Sequence, residues 1–368
     1  MTAISIHTHR TDLADAGERG REYGTLWARQ IHTAVAEYGH HFTTVGINTA
    51  QARRVSEECG EQIRTTMPYL AEEIEGIAAG AAIPLWQVMM LNARTEILAL
   101  APPVEECSAA TYWPRGAVPH TLQTWDWRPG LAQSAVVSAF PTSNTGTRVV
   151  TFAEFGQVGK IGVNSHGLGL HFNILRHGSD GSRPGVPVHV AARYILDVAT
   201  TVSEATELAR SLRFGASSAF TVASREGAVR TACLEVTPEG VGVIEGREGA
   251  ALSHTNHFLD PDLAAGAKRS APGSTSPARL SFLHANERAL SITDPVARIS
   301  ALADEPDVPI CARRSPELPE HEDSVTKATI ALDLQAPALG VHAGDPRDVQ
   351  ATSWQTVAVP ARPAGALA

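Results

Sequence analysis

A cysteine at the start of the first predicted strand constrains this chain more than any other residue. Cys107 follows a proline break at 101–104, and about a hundred residues of helical pattern precede that break. If the backbone were cut between Glu106 and Cys107, this residue would carry both a thiol nucleophile and a free α-amino group. The reference pKa of such an amine, about 7.7–8.0, suits a general base near neutral pH. The alternative interpretation is a small buried residue at a strand start, since free cysteine is among the most buried residue types.

Composition excludes several classes of function. The chain has 368 residues, 43% of them hydrophobic and 19% charged, which is ordinary for a globular protein with a sizeable core. The net charge of -9 argues against nucleic-acid binding, because no basic stripe is available to displace counterions from phosphates, and it also disfavours anionic membrane surfaces. No run of about 18 apolar residues predicts a membrane span, and residues 1–17 lack the apolar region of a secretory signal.

The four cysteines are far apart and form no C-x-x-C pair. In a chain of this size the spacing indicates reduced thiols in a cytoplasmic protein rather than a disulfide framework. Each thiol is therefore judged by its own surroundings, and only Cys107 has a context that suggests chemistry.

Hydrophobic periodicity divides the chain into a helical part, 1–106, and a strand-rich part, 107–368. In the first part, a strand is predicted at 2–10 and helices at 17–42, 50–67, 68–80 and 84–99. In the second part, strands are predicted at 108–113, 121–127, 134–141, 147–154, 160–164, 167–173, 218–224, 229–236, 242–245, 250–255, 324–333, 338–342 and 355–359. Helices are predicted at 187–199, 203–212 (capped by Ser203), 278–289 and 295–303, and an exposed loop at 262–277. This order predicts an α+β fold, a single domain in which two antiparallel sheets lie between helical layers.

A thiol that attacks an amide or thioester carbonyl needs a base, an orienting group and donors for the oxyanion. Asp126 lies on the strand that follows the cysteine strand, so it can return to the start of that strand and accept a hydrogen bond from the α-amine. A strand-end aspartate that serves only as a cap is the alternative. Asn256, which ends the strand 250–255, could donate its side-chain amide to an oxyanion.

Other polar residues have plainer explanations. Ser218 opens an apolar strand, as expected of a loop–strand transition. Arg313 and Arg314 could hold a carboxylate, although a solvated basic turn is the default. His254 and His257 lack a third ligand at suitable spacing, so no metal site is predicted. The glycine motif of dinucleotide sites, the Walker loop, the serine elbow and the zincin motif do not occur.

Several segments together resemble the isopenicillin N acyltransferase family, the acyl-CoA:6-aminopenicillanate acyltransferase-like proteins of peptidase family C45. Singly they are weak, but they occur in the family order between about residue 20 and residue 335. The segments are Ala93-Arg94-Thr95-Glu96, Cys107, Gln123-Thr124-Trp125-Asp126-Trp127, 156–165 with Gly167, Asn173, Pro184-Gly185-Val186-Pro187 with His189 and Arg193, Ser217-Ser218-Ala219-Phe220, His254-Thr255-Asn256-His257 and Pro309-Ile310-Cys311.

The resemblance implies a four-layer αββα N-terminal-nucleophile hydrolase fold. It also implies one precursor that cleaves itself before its cysteine into two fragments that stay associated, here 1–106 and 107–368. Carried over by position, Cys107 corresponds to the nucleophile, Asp126 to the essential aspartate and Asn256 to the oxyanion-hole asparagine. Ser218 corresponds to a serine that supports processing and activity.

The chain departs from the family pattern at two positions. The family arginine directly follows the Ile-Cys pair, whereas here Ala312 stands in that place and Arg313 comes next, with Arg314 as an alternative. The residue before the nucleophile is Glu106 rather than the glycine of the fungal enzyme.

The expected activity is cleavage or transfer of an acyl group from an amide or acyl-thioester through an acyl-enzyme on Cys107. No cofactor is expected, although an acyl-CoA could serve as co-substrate. The expected partners are a small-molecule substrate and the second cleaved fragment, with neither nucleic acid nor membrane. One alternative is a hydrolase limited to small amides or aminoacyl conjugates without CoA. Another is an inactive scaffold or binding protein whose chain is never cut.

Overall fold

The computed structural model describes residues 4–101, 107–268, 274–304, 308–315 and 317–361. Its helices are α1 (Ala16–Leu26), α2 (Ala28–Thr44), α3 (Thr49–Thr66), α4 (Pro68–Ala81), α5 (Leu85–Asn92), α6 (Arg94–Leu98), α7 (Val188–Val198), α8 (Val202–Ser211), α9 (Pro261–Ala264), α10 (Ser276–Ala285), α11 (Glu287–Leu290) and α12 (Pro295–Ala303). Its strands are β1 (Ser5–Arg10), β2 (Cys107–Trp113), β3 (His120–Trp127), β4 (Ser134–Pro141), β5 (Arg148–Glu154), β6 (Ile161–Asn164), β7 (Leu168–Ile174), β8 (Ser218–Ser224), β9 (Thr231–Val236), β10 (Val241–Glu245), β11 (Ala250–His254), β12 (Val325–Asp333), β13 (Ala338–Ala343) and β14 (Gln355–Ala358). Residues 102–104 of the proline break and Glu106 lie outside the described residues.

The strands form two sheets. The first has the order β1-β4-β5-β6-β7-β8-β9-β10, and the second has the order β11-β2-β3-β12-β13-β14. Neighbouring strands are antiparallel except β1, which runs parallel to β4. Parallel strands need a long crossover connection, and the helices between β1 and β4 provide one. The strand predicted at 2–10 thus joins the first sheet as a parallel edge strand, and all other pairings are antiparallel, as predicted.

The two sheets face each other, and helices cover their outer faces. Between the sheets, the side-chain amide of Gln123 on β3 donates to the backbone carbonyl of Phe172 on β7 at 2.6 Å. Helices α7 and α8 pack on the first sheet, and α10, α11 and α12 cover the second, where Leu283, Leu290 and Ile299 join the core cluster of β2 and β3. The predicted four-layer αββα α+β fold is thus confirmed.

Helices α1–α6 form a separate group that contacts the connection between β5 and β6. Asn92 at the end of α5 donates to the carbonyl of Gly156 at 2.8 Å and accepts from the backbone N–H of Val158 at 3.0 Å. Within this group, α1 crosses α4 in backbone contact: a Cβ on Gly20 would lie 2.1 Å from the carbonyl oxygen of Glu73, and one on Gly76 would lie 2.3 Å from that of Gly17. Glycine is therefore required for this close approach.

Several predicted helix boundaries are wrong. The predicted helix 17–42 is interrupted at Trp27, and the predicted helix 84–99 is interrupted at Ala93. At both residues ψ turns positive, which ends one helix before the next begins, although the apolar spacing continues. Thr201, not Ser203, caps α8, because its side chain accepts from the backbone N–H of Glu204.

The predicted loop 262–277 is also only partly a loop. Helix α9 begins with Pro261, and its cap is Asp260, whose carboxylate accepts two backbone N–H groups. Helix α10 begins at Ser276, also with a proline in its first turn. Proline suits the first turn of a helix, where its missing N–H costs nothing, so a proline-rich composition can mark helix starts as well as loops.

Glu73 of α4 joins the helical group to α7 through buried charges. Its Oε2 accepts from Arg19 at 2.6 Å, and Arg193 of α7 donates to both carboxylate oxygens at 3.1 and 3.0 Å. Arg193 also donates to Asp197 at 2.7 Å. Burial raises the pKa of Glu73, but the two arginines outweigh burial and lower the pKa to about 2. The carboxylate therefore stays ionised inside the protein.

Removing the charge of Glu73 should destabilise the fold strongly. In Glu73→Gln, two buried guanidinium groups lose their shared carboxylate, and we expect the free energy of unfolding to fall by roughly 3–5 kcal/mol. Urea unfolding followed by circular dichroism measures this. The control is Glu57→Gln, which breaks the exposed pair with Arg53 and should cost at most about 1 kcal/mol. Equal losses in the two variants would contradict the role of the buried network.

Candidate active site

The pairing of β2 with β3 brings Cys107 next to Asp126. Cys107 lies opposite Trp125, and its thiol donates to the backbone carbonyl of Asp126 at 3.7 Å. The Asp126 carboxylate is fully buried and accepts from the hydroxyl of Thr326 on β12 at 2.6 Å. That hydroxyl also accepts from the backbone N–H of Ala312 at 2.9 Å. The segment that follows Ile310-Cys311 therefore reaches the site through its backbone.

Asn256 and Arg279 hold the backbone of Cys107. The side-chain oxygen of Asn256 accepts from the backbone N–H of Cys107 at 2.8 Å and from Arg279 at 2.9 Å, while its amide nitrogen donates to the carbonyl of Ile174 at 3.0 Å. Arg279, buried at the start of α10, also donates to the Cys107 carbonyl and to the hydroxyl of Ser108. Both backbone polar groups of the cysteine are thus bound by side chains.

His254 fixes the loop that carries Asn256. Its Nδ1 bonds to the carbonyl of Thr255 at 2.7 Å, and its Nε2 bonds to Glu235 at 2.8 Å. Because both partners are acceptors, both ring nitrogens carry protons and the ring is an imidazolium. Burial lowers the pKa of His254, but Cys233 and Glu235 outweigh it and raise the pKa to about 10.

Ser218 lies near Asn256, whereas the side chain of Arg313 lies away from it. Ser218 is fully buried at the start of β8, opposite Ile174, and its hydroxyl has no hydrogen-bond partner within the described residues. The side chain of Arg313 is 67% exposed and lies 3.7 Å from Asp345, and that of Arg314 is 52% exposed and lies 3.8 Å from Asp323. The roles assigned to both by resemblance stay predictions.

A second cluster of buried charges lies beside the thiol. Lys160 places its Nζ 3.8 Å from the centroid of the Trp125 ring and 3.5 Å from Oε1 of Glu154. The same oxygen accepts a shorter bond from Arg94, at 2.7 Å, and Tyr38 donates to the other oxygen. Burial lowers the pKa of Lys160 to about 7, although Glu154 acts in the opposite direction.

The surroundings of Cys107 favour a neutral thiol in the uncleaved chain. Burial raises the pKa of this thiol to about 12, and the negative charge of Asp126 adds to the rise. Lys160 and Arg279 act in the opposite direction but do not cancel it. Near neutral pH the thiol is therefore protonated, and a nucleophilic attack requires a group that removes its proton.

Sequence reasoning missed Arg279, Thr326 and the position of Lys160 in this site. Arg279 lies in a stretch of alanine, serine and proline that carries no catalytic pattern, 172 positions from the carbonyl that it binds. Thr326 lies within an apolar strand, where threonine is common. Lys160 occurs in a segment that supported the family resemblance, and this was the only signal in the sequence that could have drawn attention to it.

The described residues include neither a metal-binding cluster nor a membrane-spanning helix. No group of three or more His, Cys, Asp or Glu side chains in the described part of the chain could hold a metal ion. None of the described helices is long and apolar enough to cross a membrane.

Two sequence comparisons point to the same family. The family model described as acyl-coenzyme A:6-aminopenicillanic acid acyl-transferase matches residues 115–348, a range that includes Asp126, Ser218 and Asn256 and begins after Cys107. The 40 kDa form of acyl-coenzyme A:6-aminopenicillanic-acid-acyltransferase from Emericella nidulans is 30% identical over 213 residues. Those residues are 57% of this chain and 57% of the relative, so the match spans little more than half of either protein.

Solved structures provide weaker matches. Penicillin V acylase from Agrobacterium tumefaciens aligns with a TM-score of 0.44 and 15% identity, covering 64% of this chain and 83% of the other. A variant of conjugated bile acid hydrolase from Clostridium perfringens aligns with a TM-score of 0.46 and 12% identity, covering 68% and 92%. The fold is therefore assigned from the two sheets and the helical layers of this chain, and not from these matches.

Replacing Arg279 should loosen the start of β2. In Arg279→Gln, the carbonyl of Cys107 and the side-chain oxygen of Asn256 lose a charged donor in a buried place, and we expect the free energy of unfolding to fall by about 3 kcal/mol. Chemical denaturation measures the loss. Arg288→Gln, at an exposed position on α11, is the matched control and should change stability by less than about 0.5 kcal/mol. A loss of the control's size in Arg279→Gln would show that these bonds contribute little.

Proposed function

The chain belongs to the acyl-coenzyme A:6-aminopenicillanic acid acyl-transferase family, and on this premise we propose that it is a self-processing cysteine amidohydrolase or acyltransferase. One observation supports the proposal most directly. The first residue of β2 is a cysteine whose thiol, N–H and carbonyl are bound by Asp126, Asn256 and Arg279 respectively. A cut before Cys107 would turn the bound N–H into an α-amino group without moving the thiol.

After the cut, the α-amine would act as the general base. The side-chain oxygen of Asn256, 2.8 Å from the nitrogen of Cys107, would accept a hydrogen bond from the amine and orient its lone pair toward the thiol. The thiolate would attack the acyl carbonyl, and the ammonium would return its proton to the leaving group. In this scheme Arg279 holds the nucleophile in place through the Cys107 carbonyl.

Asp126 and Asn256 have further proposed roles, which come from their sequence positions and from the resemblance. Asp126 lies next to the thiol through its backbone carbonyl, while its carboxylate is held by Thr326. For Asn256 to serve as an oxyanion donor, its amide nitrogen would have to exchange the carbonyl of Ile174 for the substrate oxygen. Donation to a developing oxyanion is typically worth about 10²–10³ in turnover.

The acyl donor in the proposed reaction is a small amide or an acyl-thioester. Deacylation by an amine gives transfer, and deacylation by water gives hydrolysis. No cofactor takes part in either route, and an acyl-CoA would enter only as co-substrate. The proposed reaction is defined by its chemistry rather than by one acceptor, because a single fold can serve many substrates.

The Cys107→Ala variant should abolish both self-cleavage and turnover, because it removes the thiol that both steps require. Intact-mass measurement should find fragments of about 11 and about 28 kDa in the wild type and one species of 39.0 kDa in the variant. Cys59→Ala, which changes another buried thiol, should leave cleavage intact and serves as the control. Two fragments from Cys107→Ala would exclude this mechanism, and a single uncut wild-type species that remains inactive would favour a scaffold protein.

Transfer and hydrolysis can be separated with matched acyl donors. A panel of small acyl amides and acyl-CoA thioesters should give a mass adduct on the Cys107 fragment. Adding a primary-amine acceptor should then divert the acyl group into a new amide if the protein is a transferase. Release of free acid at an unchanged rate, with no amide product, would identify a hydrolase. The absence of any adduct with either donor class would count against the acyl-enzyme.

A further inference from the structure

The uncleaved chain lacks the base that the proposed function uses. Before the cut, the nitrogen of Cys107 is an amide whose N–H donates to Asn256 at 2.8 Å, so it has no lone pair available for a proton. The thiol is buried and protonated near neutral pH, for the reasons given above. A self-cleavage step that starts from this thiol therefore needs another proton acceptor, and the α-amine appears only as its product.

Most charged groups around the thiol cannot fill this role. Arg279 remains protonated at any ordinary pH and has no acceptor atom. The Asp126 carboxylate already accepts from the hydroxyl of Thr326, and the thiol donates to the backbone carbonyl of Asp126 rather than to this carboxylate. His189 lies on α7 against the outer face of the first sheet, where its ring packs on Phe172 at 4.7 Å. Of the described charged groups that shift the pKa of the thiol, Lys160 remains.

The position of Lys160 suits a proton acceptor. Its ammonium lies over the ring of Trp125, the residue directly opposite Cys107 in the β2–β3 ladder. Side chains of directly opposed residues point to the same face of a sheet, with Cβ atoms about 4.5–5.5 Å apart. Lys160 and Cys107 also change each other's pKa, which places their charges within interaction range.

The ion pair of Lys160 with Glu154 is too weak to hold a proton firmly. The Nζ–Oε1 distance is 3.5 Å, beyond the usual 2.7–3.2 Å of a hydrogen bond, whereas Arg94 binds the same oxygen at 2.7 Å. A buried lysine with a weak partner readily releases its proton, which is how lysines serve as bases. The lowered pKa, about 7, agrees with this environment.

We propose that Lys160 accepts the thiol proton of Cys107 in the uncleaved chain and so starts self-cleavage. This inference rests on the proposed function. The S–H bond breaks and its proton moves to the Lys160 amine, while the sulfur bonds to the carbonyl carbon of Glu106. The C–N bond to Cys107 then breaks, and the nitrogen takes the proton back from Lys160. Water hydrolyses the resulting thioester, which restores the thiol and leaves a carboxyl group on Glu106.

The titration of Lys160 depends on charged and titratable groups from several elements. Those acting on the lysine or on the thiol are Arg94 of α6, Cys107 of β2, Asp126 of β3, Glu154 of β5, His189 of α7 and Arg279 of α10, and Tyr38 of α2 donates to Glu154. Only a neutral Lys160 can accept a proton, so cleavage should slow as pH falls. Below about pH 7 we expect a decrease of about tenfold for each pH unit.

The test follows cleavage in full-length chains made by cell-free synthesis, with intact-mass sampling between about pH 6 and about pH 8. Lys160→Met removes the amine, and Lys160→Arg keeps the charge but cannot accept a proton. We expect both variants to cleave at least about 100-fold more slowly than the wild type. Lys327→Met is the matched control, because Lys327 is buried, has a pKa lowered by burial to about 8 and is not among the groups that shift the pKa of Cys107.

The control should keep the wild-type pH dependence. Thermal melting, with the uncut Cys107→Ala variant as the reference, checks that each Lys160 variant is folded. If Lys160→Met is not folded, Lys160→Arg decides the question. Wild-type cleavage by a folded Lys160→Arg would overturn the role of Lys160 and leave the proposed function standing. A wild type that is never cut before Cys107 would overturn both.

Discussion

The bonds of Arg279 to the start of β2 are the contact on which the site depends. One buried guanidinium binds the carbonyl of Cys107, the hydroxyl of Ser108 and the side-chain oxygen of Asn256. It thereby connects the outer helical layer, the strand with the thiol and the loop after β11. A strand end would ordinarily fray, because its last backbone groups lack partners. Here those groups are bound by side chains, so the thiol has a defined position before any substrate arrives.

Buried charges connect the two sides of the proposed cut. Glu73 lies before the cut and binds Arg193 after it, and Arg94 lies before the cut and binds Glu154 after it. Separating the fragments would leave charges in the protein interior without their partners, which is strongly unfavourable. The same Glu154 also bonds to Tyr38 and lies next to Lys160. The contacts that would hold the two fragments together therefore include Glu154, which is also the partner of the lysine proposed to start the backbone cut.

The sequence was sufficient to predict the fold class and the strand positions, because buried strands carry a strong apolar signal and turns carry glycine, proline and asparagine. It also indicated that Asp126 could return to the start of the cysteine strand, provided that the two strands are adjacent and antiparallel. It did not reveal the interruption of the first helix at Trp27, because the apolar spacing continues across the break. Arg279 was beyond reach as well: its role arises from tertiary packing, and its local sequence resembles a loop.

The double hydrogen bonding of His254 has a consequence for how the site responds to acidity. A histidine ordinarily changes charge near pH 6.5, but the pKa of this one is raised to about 10. Its contribution to folding is therefore complete below the ordinary value and is lost only as pH rises through the raised value. The bend that presents Asn256 is anchored by a permanent cation throughout the physiological range, so mild acidification leaves its geometry intact.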